Sequence, residues 1–244
     1  DLEYIASQVD VGKPSVNYNA NCGNLTAAVG LYAVEEGLVK AISPATEVRT
    51  FNHNSQKVVT ITVPTANCTP DEDGDFVLEG IDGTWPEIVM RYYDPAGAKT
   101  GRLYPTGHAT QMLQVKGFGA IEATLLDVSH PMVIVRAEDV GMTGTELPTE
   151  LDARPDVLDL MEKIRCEAAC AMGFADSYED ATENCCNLPT IGAFTAPKSY
   201  DAIGGLKISA KDMDVCIRII SVRMPHRARP IICINPVSAA SALP

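Results

Sequence analysis

No apolar run in this sequence approaches the roughly 18 to 20 residues that a helical membrane span requires, which argues against a membrane-spanning helix. Positive charge is also scarce: 19 Lys and Arg stand against 32 Asp and Glu, a formal net charge of −13. Phosphate backbones are held by clustered Lys and Arg, so this balance speaks against a nucleic-acid surface. Aromatic residues make up 6% of the chain and tryptophan occurs once. Eight cysteines in 244 residues are too few for a small disulfide scaffold, which takes roughly 8–10%. They form no CxxC pair and no zinc-knuckle pattern. HExxH, GxSxG, the P-loop and GxGxxG are missing as well, which lowers zincin, α/β-hydrolase, NTPase and dinucleotide-binding readings.

What is present is the composition of an ordinary globular protein, 46% apolar and 21% charged over 244 residues. That length allows one or two domains with a real core. Cys166 and Cys170 share a helix face and Cys185 and Cys186 follow after a loop. A four-thiolate zinc site is conceivable there, but structural zinc takes ligands from tight turns rather than a helix interior plus a vicinal pair. The expectation is therefore buried, reduced thiols, no metal and a reducing compartment.

Along the chain, a strand over about 3–11 leads through an Asn-, Gly- and Pro-rich turn into LTAAVGLYAVEEGLV, residues 25–39. That run predicts a helix, apolar on nearly every face and hence buried. Strands follow at Val48–Phe51 and Lys57–Val63, joined by a turn at His53. The acidic, turn-rich stretch from Thr69 to Thr84 reads as a linker, with a boundary near residue 82. Further strands are expected at Glu87–Tyr93, Thr110–Val115, Ala120–Asp127, Met132–Arg136, Thr190–Thr195 and Met213–Val222. The strongest helix signal runs from Arg154 to Met172, with Pro155 in its first turn and Gly173 as its stop. Many short strands with one buried helix per half predict an α+β fold.

The chemistry-bearing feature is Asn21-Cys22-Gly23-Asn24, just before the first helix. A cysteine at a helix N-terminus faces unpaired N–H groups and the positive end of the macrodipole, which favour thiolate over thiol. Gly23 permits close backbone approach, the two Asn can cap or donate, and the N–H groups can cradle a carboxylate. The plainer alternative makes Cys22 a small buried residue beside an ordinary Asn cap. Of the four histidines, His53 reads as a solvated turn residue, and His108 follows Thr106-Gly107, a tight turn that presents backbone donors. His130 lies in Asp127-Val-Ser129-His130-Pro131 between two strands. His226 sits among Arg223, Arg227 and Arg229, the most basic cluster in the chain and a place for an acidic substrate to dock. Each histidine alone is more often a turn or core residue than a catalyst.

Together, YIASQVDVGKPSVNYNANCGNL (4–25), TGRLYPTG (100–107), LLDVSHPMVIVRA (125–137), GMTGTELP (141–148) and MPHRARP (224–230) resemble the PrpF-like isomerases, in order and over essentially the whole chain. That group includes 2-methylaconitate, aconitate and methylitaconate isomerases and 4-oxalomesaconate tautomerase. NCGN and TGTELP are the more specific parts. The resemblance implies the diaminopimelate-epimerase-like fold, in which two pseudo-symmetric halves of antiparallel sheet wrap a central helix. Residues 1–82 would be the remainder of the first half, with central helix 25–39. Residues 83–244 would be the second half, truncated at a central helix beginning near Ser238. Both halves are thus expected to be incomplete. Family members carry an upstream Ser-Lys segment that would precede residue 1, and a Thr-Gly turn where this chain reads Ile231-Ile-Cys-Ile-Asn-Pro-Val-Ser238. His130 stands where related epimerases carry a Gly-Asn-Pro turn.

The activity so implied is cofactor-independent proton transfer on a small unsaturated di- or tricarboxylate, shifting or reorienting a C=C bond. Cys22 would be the acid/base. Asn21, Gly23 and Asn24 would bind a carboxylate, with Thr106, Gly107, Ser129, His130 and His226 as further substrate contacts. The cationic 223–229 cluster would locally reverse the overall charge. The implied setting is the cytoplasm, with mitochondria compatible, and an oligomer is compatible too. The rivals are an amino-acid racemase or epimerase of the same fold, which would want a second facing cysteine, and an inactive fragment that only binds carboxylates.

Overall fold

The computed structural model describes residues 1–9, 14–18, 21–78, 81–227 and 231–241. These form two compact units, Asp1–Pro95 and Ala96–Pro244. The boundary expected near residue 82 falls inside the first, because the strand after the acidic stretch, Val89–Tyr92, pairs antiparallel with that unit's central strand.

In the first unit the elements are β1 (Leu2–Tyr4), β2 (Gln8–Val9), β3 (Val16–Asn17), α1 (Gly23–Glu35), β4 (Ala45–Asn52), β5 (Lys57–Ala66), β6 (Thr69–Pro70) and β7 (Val89–Tyr92). β4 and β5 form a hairpin in register from Ala45↔Pro64 to Asn52↔Lys57, and its turn requires a positive φ of 55° at Gln56. Period-two alternation puts Val48, Val59, Ile61 and Val63 on one buried face. β1 lies parallel to β4, and β7 antiparallel to β5. The strand expected over 3–11 is broken instead. Asn54 takes both backbone groups of Ala6, accepting from its N–H at 2.7 Å and donating to its carbonyl at 2.8 Å, which draws the chain out of the β1 ladder. β2 then pairs with β3, and residues 10 and 11 lie outside the described residues. The acidic stretch closes on itself through a two-way backbone bridge between Phe76 and Trp85, with Trp85 54% exposed.

α1 begins two residues before the expected 25–39 and stops at Glu35, where Gly37 takes a φ of 65°. It is not buried all round. Thr26, Gly30, Ala33 and Val34 are covered by the β4–β5 face, while Leu25 and Tyr32 are 52% and 58% exposed. Gly30 allows the close approach: a Cβ there would meet Cγ2 of Ile61 at 2.4 Å.

The second unit comprises β8 (Gln111–Val115), β9 (Gly119–Val128), β10 (His130–Arg136), α2 (Pro148–Asp152), α3 (Pro155–Ala171), α4 (Tyr178–Glu183), β11 (Thr190–Thr195), β12 (Tyr200–Asp201), β13 (Lys207–Ile208), β14 (Cys216–Ser221), β15 (Met224–Pro225) and α5 (Ile231–Ser241). Its main sheet has the order β15-β14-β11-β10-β9-β8, antiparallel except for β10 and β11, which α2, α3 and α4 connect in sequence. β10 is buried along all but its last residue because helices cover both faces. Val133 and Val135 pack on the α3 side with Met161, Ile164 and Ala168, and Met132 and Ile134 pack on the α5 side with Cys233. The predicted face of α3, from Val157 to Met172, is the one that packs there.

Two expectations in this unit change. The strand predicted from Met213 begins only at Cys216, after a 3₁₀ turn at Ala210–Asp212, and ends at Ser221, where Val222 and Arg223 (φ 49° and 62°) turn into β15. The last helix begins at Ile231, well before Ser238, and accommodates Pro236 in its interior. Its contacts through Cys233, Val237 and Ala240 outweigh the local cost of the proline. The overall class is α+β, as expected. No helix among the described residues is long and apolar enough to cross a membrane.

Candidate active site

Cys22 is the N-cap of α1, in extended conformation (φ −120°, ψ 110°), half-buried, its thiol making no capping hydrogen bond. Its carbonyl accepts the first helical bond, from Thr26 N–H at 3.1 Å. By helix geometry the N–H groups of Gly23, Asn24 and Leu25 have no intrahelical acceptor. Asn21 precedes the cap and is 5% exposed, with Oδ1 accepting from Asn52 Nδ2 at 3.0 Å. Its own Nδ2 is buried and has no partner among the described residues. Gly23 is buried and Asn24 exposed. The sequence-predicted quartet is therefore assembled around one helix end: a thiol, three N–H donors and an orphaned amide donor. Such a set suits a negatively charged oxygen.

A buried polar network holds this helix end from behind. Thr26 Oγ1 donates to the Cys22 carbonyl at 3.1 Å and lies 2.8 Å from the Tyr4 hydroxyl. Asn52 is fully buried at the end of β4 and donates to Asn21. Burial pushes up both the Tyr4 and Tyr92 hydroxyls, Tyr92 to about 12. Tyr4, Thr26, Asn52 and Tyr92 were not legible as site residues. Their signal is nonlocal, since strand ends and a helix turn meet only after folding.

In the second unit, Ser129 occupies the turn between β9 and β10 with a φ of 63°, and Asn235 of α5 donates to its Oγ at 2.8 Å. His130 is not a loop residue but opens β10, 2% exposed, with Nε2 at 2.8 Å from Thr190 Oγ1. Burial, with Lys99 as a lesser positive neighbour, brings its pKa down to about 4. It is therefore a neutral imidazole near neutral pH. The loop carrying Thr106 and Gly107 is tied to the same place by Asp127, whose Oδ2 accepts from Lys99 N–H, Thr100 N–H and Thr100 Oγ1 at 2.7–2.8 Å. Thr106 Oγ1 and Asp127 Oδ1 are buried and have no partners among the described residues. Gly107 closes its turn with a φ of 83° and an N–H to the Tyr104 carbonyl.

His226 stands apart from this group. It follows β15, at the sheet edge, separated from β10 by β14 and β11, and it is exposed. The neighbouring cations are engaged with carboxylates, Arg223 with Asp159 at 3.4 Å and Arg227 with Asp152 at 3.5 Å, while Arg229 lies outside the described residues. The eight cysteines are free thiols, Cys68 exposed, and among the described residues no group of three or more His, Cys, Asp or Glu is placed to hold a metal ion. Cys233 is 1% exposed and burial raises its pKa to about 12.

A helix-capping cysteine framed by NCGN, on an α+β scaffold of two units, defines a class of protein that the family comparison identifies. The chain belongs to the PrpF family, whose model, described as PrpF protein, matches residues 1–244. It is 35% identical over 228 residues to the 3-methylitaconate isomerase of Eubacterium barkeri, covering 93% of this chain and 60% of that protein. It is 32% identical over 251 residues to a 2-methyl-aconitate isomerase of Shewanella oneidensis, covering 100% of this chain and 63% of that one. A crystal structure of methylitaconate-delta-isomerase superposes with a TM-score of 0.86 at 33% identity, over 99% of this chain and 62% of that chain. The fold is thus that of the methylitaconate isomerase, an α+β fold as expected. The chain spans about three fifths of the length of these relatives.

Proposed function

We propose that this protein is a cofactor-independent isomerase that moves or reorients a C=C bond in a small unsaturated di- or tricarboxylate. The observation that carries the reading is the assembly at the start of α1, where Cys22 follows a buried Asn21 whose Nδ2 has no partner among the described residues and precedes helix N–H groups that lack an intrahelical acceptor. The relatives' names, a methylitaconate and a methylaconitate isomerase, supply the substrate class.

In this reading Cys22, as thiolate, takes a proton from a carbon α or γ to a carboxylate. The C–H electron pair spreads through the adjacent C=C bond onto the carboxylate, giving an enolate-like dianion. Asn21 Nδ2 and the N–H groups of Gly23 and Asn24 bind the carboxylate and lower the energy of that charge. The proton returns from the thiol to the other carbon, or to the same carbon after rotation, so no net redox change occurs. Thr106, Gly107, Ser129 and His130, within the second unit, are proposed as residues that contact a carboxylate. The burial of Cys233 supports this single-thiol chemistry over a racemase with two facing thiols.

The test is incubation with cis- or trans-aconitate in D₂O, followed by NMR for deuterium incorporation and isomer ratio. The wild type is expected to exchange and isomerise, and Cys22→Ser to lose roughly a hundredfold or more of the rate, as for removal of a proton-transfer group. A folded wild type that neither exchanges deuterium nor changes the isomer ratio would sink the reading.

A further inference from the structure

We propose that Asn52 is a positioning residue for carboxylate binding: it sets which way the Asn21 carboxamide faces, leaving a donor rather than an acceptor for the ligand. The inference rests on the reading of the α1 N-terminus as a carboxylate site and names a residue that determines its polarity.

The argument is one of hydrogen-bond direction. An amide side chain can be turned over, exchanging its oxygen and nitrogen, and the surroundings decide between the two orientations. At Asn52 the decision is made by the backbone. The Ser55 N–H, which can only donate, lies 2.8 Å from Asn52 Oδ1, and the Ser55 hydroxyl adds a second donor at 3.1 Å. The other end of Asn52 is therefore NH₂. One of its hydrogens goes to Asn21 Oδ1 at 3.0 Å. Beside it, Tyr4 donates to Thr26, whose single hydroxyl hydrogen is used on the Cys22 carbonyl.

Asn21 is thus left with one possible orientation, oxygen toward Asn52. Its Nδ2 is the unfilled group, 95% of the residue being buried by its 5% exposure. A buried donor without an acceptor costs free energy that a ligand oxygen recovers. The same amide turned over would offer an oxygen, which suits an ammonium group and repels a carboxylate. Asn52, at the far end of β4 and two elements of sequence on from the thiol, thus decides whether the helix end takes an acid or an amine.

The probe is tricarballylate, a saturated tricarboxylate that the proposed reaction cannot turn over, titrated into ¹⁵N-labelled protein and followed by NMR and calorimetry. In Asn52→Asp, the carboxylate still accepts from Ser55, but its second oxygen demands a donor from Asn21, which turns over. Affinity for tricarballylate is expected to fall roughly tenfold or more, as for loss of a hydrogen bond to a charged group. KM for aconitate should rise by a larger factor than kcat falls. The Asn21 side-chain NH₂ signals should shift on titration in the wild type and not in the variant. If Asn52→Asp fails to fold, Asn21→Asp removes the same donor at a less buried point of the network and should lose the same affinity. Affinity in a folded variant within about twofold of wild type would overturn the inference, as would unshifted Asn21 signals or a wild type that binds no tricarballylate. Tight tricarballylate binding by a wild type that leaves aconitate unchanged would instead count against the isomerase reading alone.

Discussion

Glu162 and Arg165 face each other one turn apart on α3, fully engaged inside the second unit: Oε2 of Glu162 lies 2.7 Å from Nε of Arg165, with side chains 4% and 3% exposed. The guanidinium does more than neutralise the carboxylate. Its remaining N–H groups donate to the carbonyls of Ala181 at 2.9 Å, Cys185 at 2.7 Å and Leu188 at 2.8 Å, which fixes the segment between α4 and β11 onto α3. Arg165→Met would leave the Glu162 carboxylate buried without its cationic partner and would remove the guanidinium donors from the Ala181, Cys185 and Leu188 carbonyls. It is expected to destabilise the second unit by about 3–5 kcal/mol, measured by urea unfolding. The double variant Glu162→Gln/Arg165→Met should cost less than Arg165→Met alone, because no uncompensated charge remains.

His130 predicts an acid-side loss of stability. Its folded pKa, about 4, lies below the 6.5 of the unfolded chain because burial penalises the imidazolium. Between those values the unfolded state binds the extra proton, so stability is full above about pH 6.5 and falls as pH drops toward 4. A shift of this size is worth on the order of 3 kcal/mol. Hydrogen exchange of the Met132 and Ile134 amides should accelerate over that window, and the acceleration should shrink in His130→Gln. An unchanged exchange profile in the variant would mean that another group carries the effect.

Gly30→Ala tests the contact between α1 and its sheet. In an exposed helix this change stabilises by up to about 1 kcal/mol, through propensity. Here the new methyl would lie 2.4 Å from Cγ2 and 2.8 Å from Cβ of Ile61, so α1 must move away from β5. Overpacking of this kind costs about 1–3 kcal/mol, and destabilisation is the expected sign. Ile61→Val in the same chain should recover part of the loss, read by thermal unfolding.

The parts of this protein that could be read from sequence are those whose cause is local. α3 announces itself through a 3- and 4-residue apolar step from Val157 to Met172, with Pro155 and Gly173 as brackets, and it lies within two residues of the predicted span. Thr190–Thr195, and the place of NCGN at the start of α1, are likewise legible because one short stretch defines each. What could not be read depends on partners distant in the chain. The β7–β5 pairing moves the domain boundary past the acidic stretch, and α1 is half exposed because only one face meets the β4–β5 hairpin among the described residues. α5 is hidden by Pro236 and a β-branched start, and its helical state is stabilised by packing on β9 and β10. Asn52 sits in RTFNHNS, a stretch that reads only as a strand running into a turn. Its role exists solely through the bond to Asn21, 31 residues away.

The bridge between Phe76 and Trp85 has a spectroscopic consequence. Trp85 is the only tryptophan in the chain, its ring more than half in solvent and its Nε1 tied to the Asp82 carbonyl at 3.0 Å. Indole emission therefore reports the opening of one acidic loop in the first unit and is silent about the sheet that α3 and α5 enclose. A fluorescence melt of this protein would record that loop's local transition, and unfolding of the second unit has to be followed by circular dichroism or amide exchange.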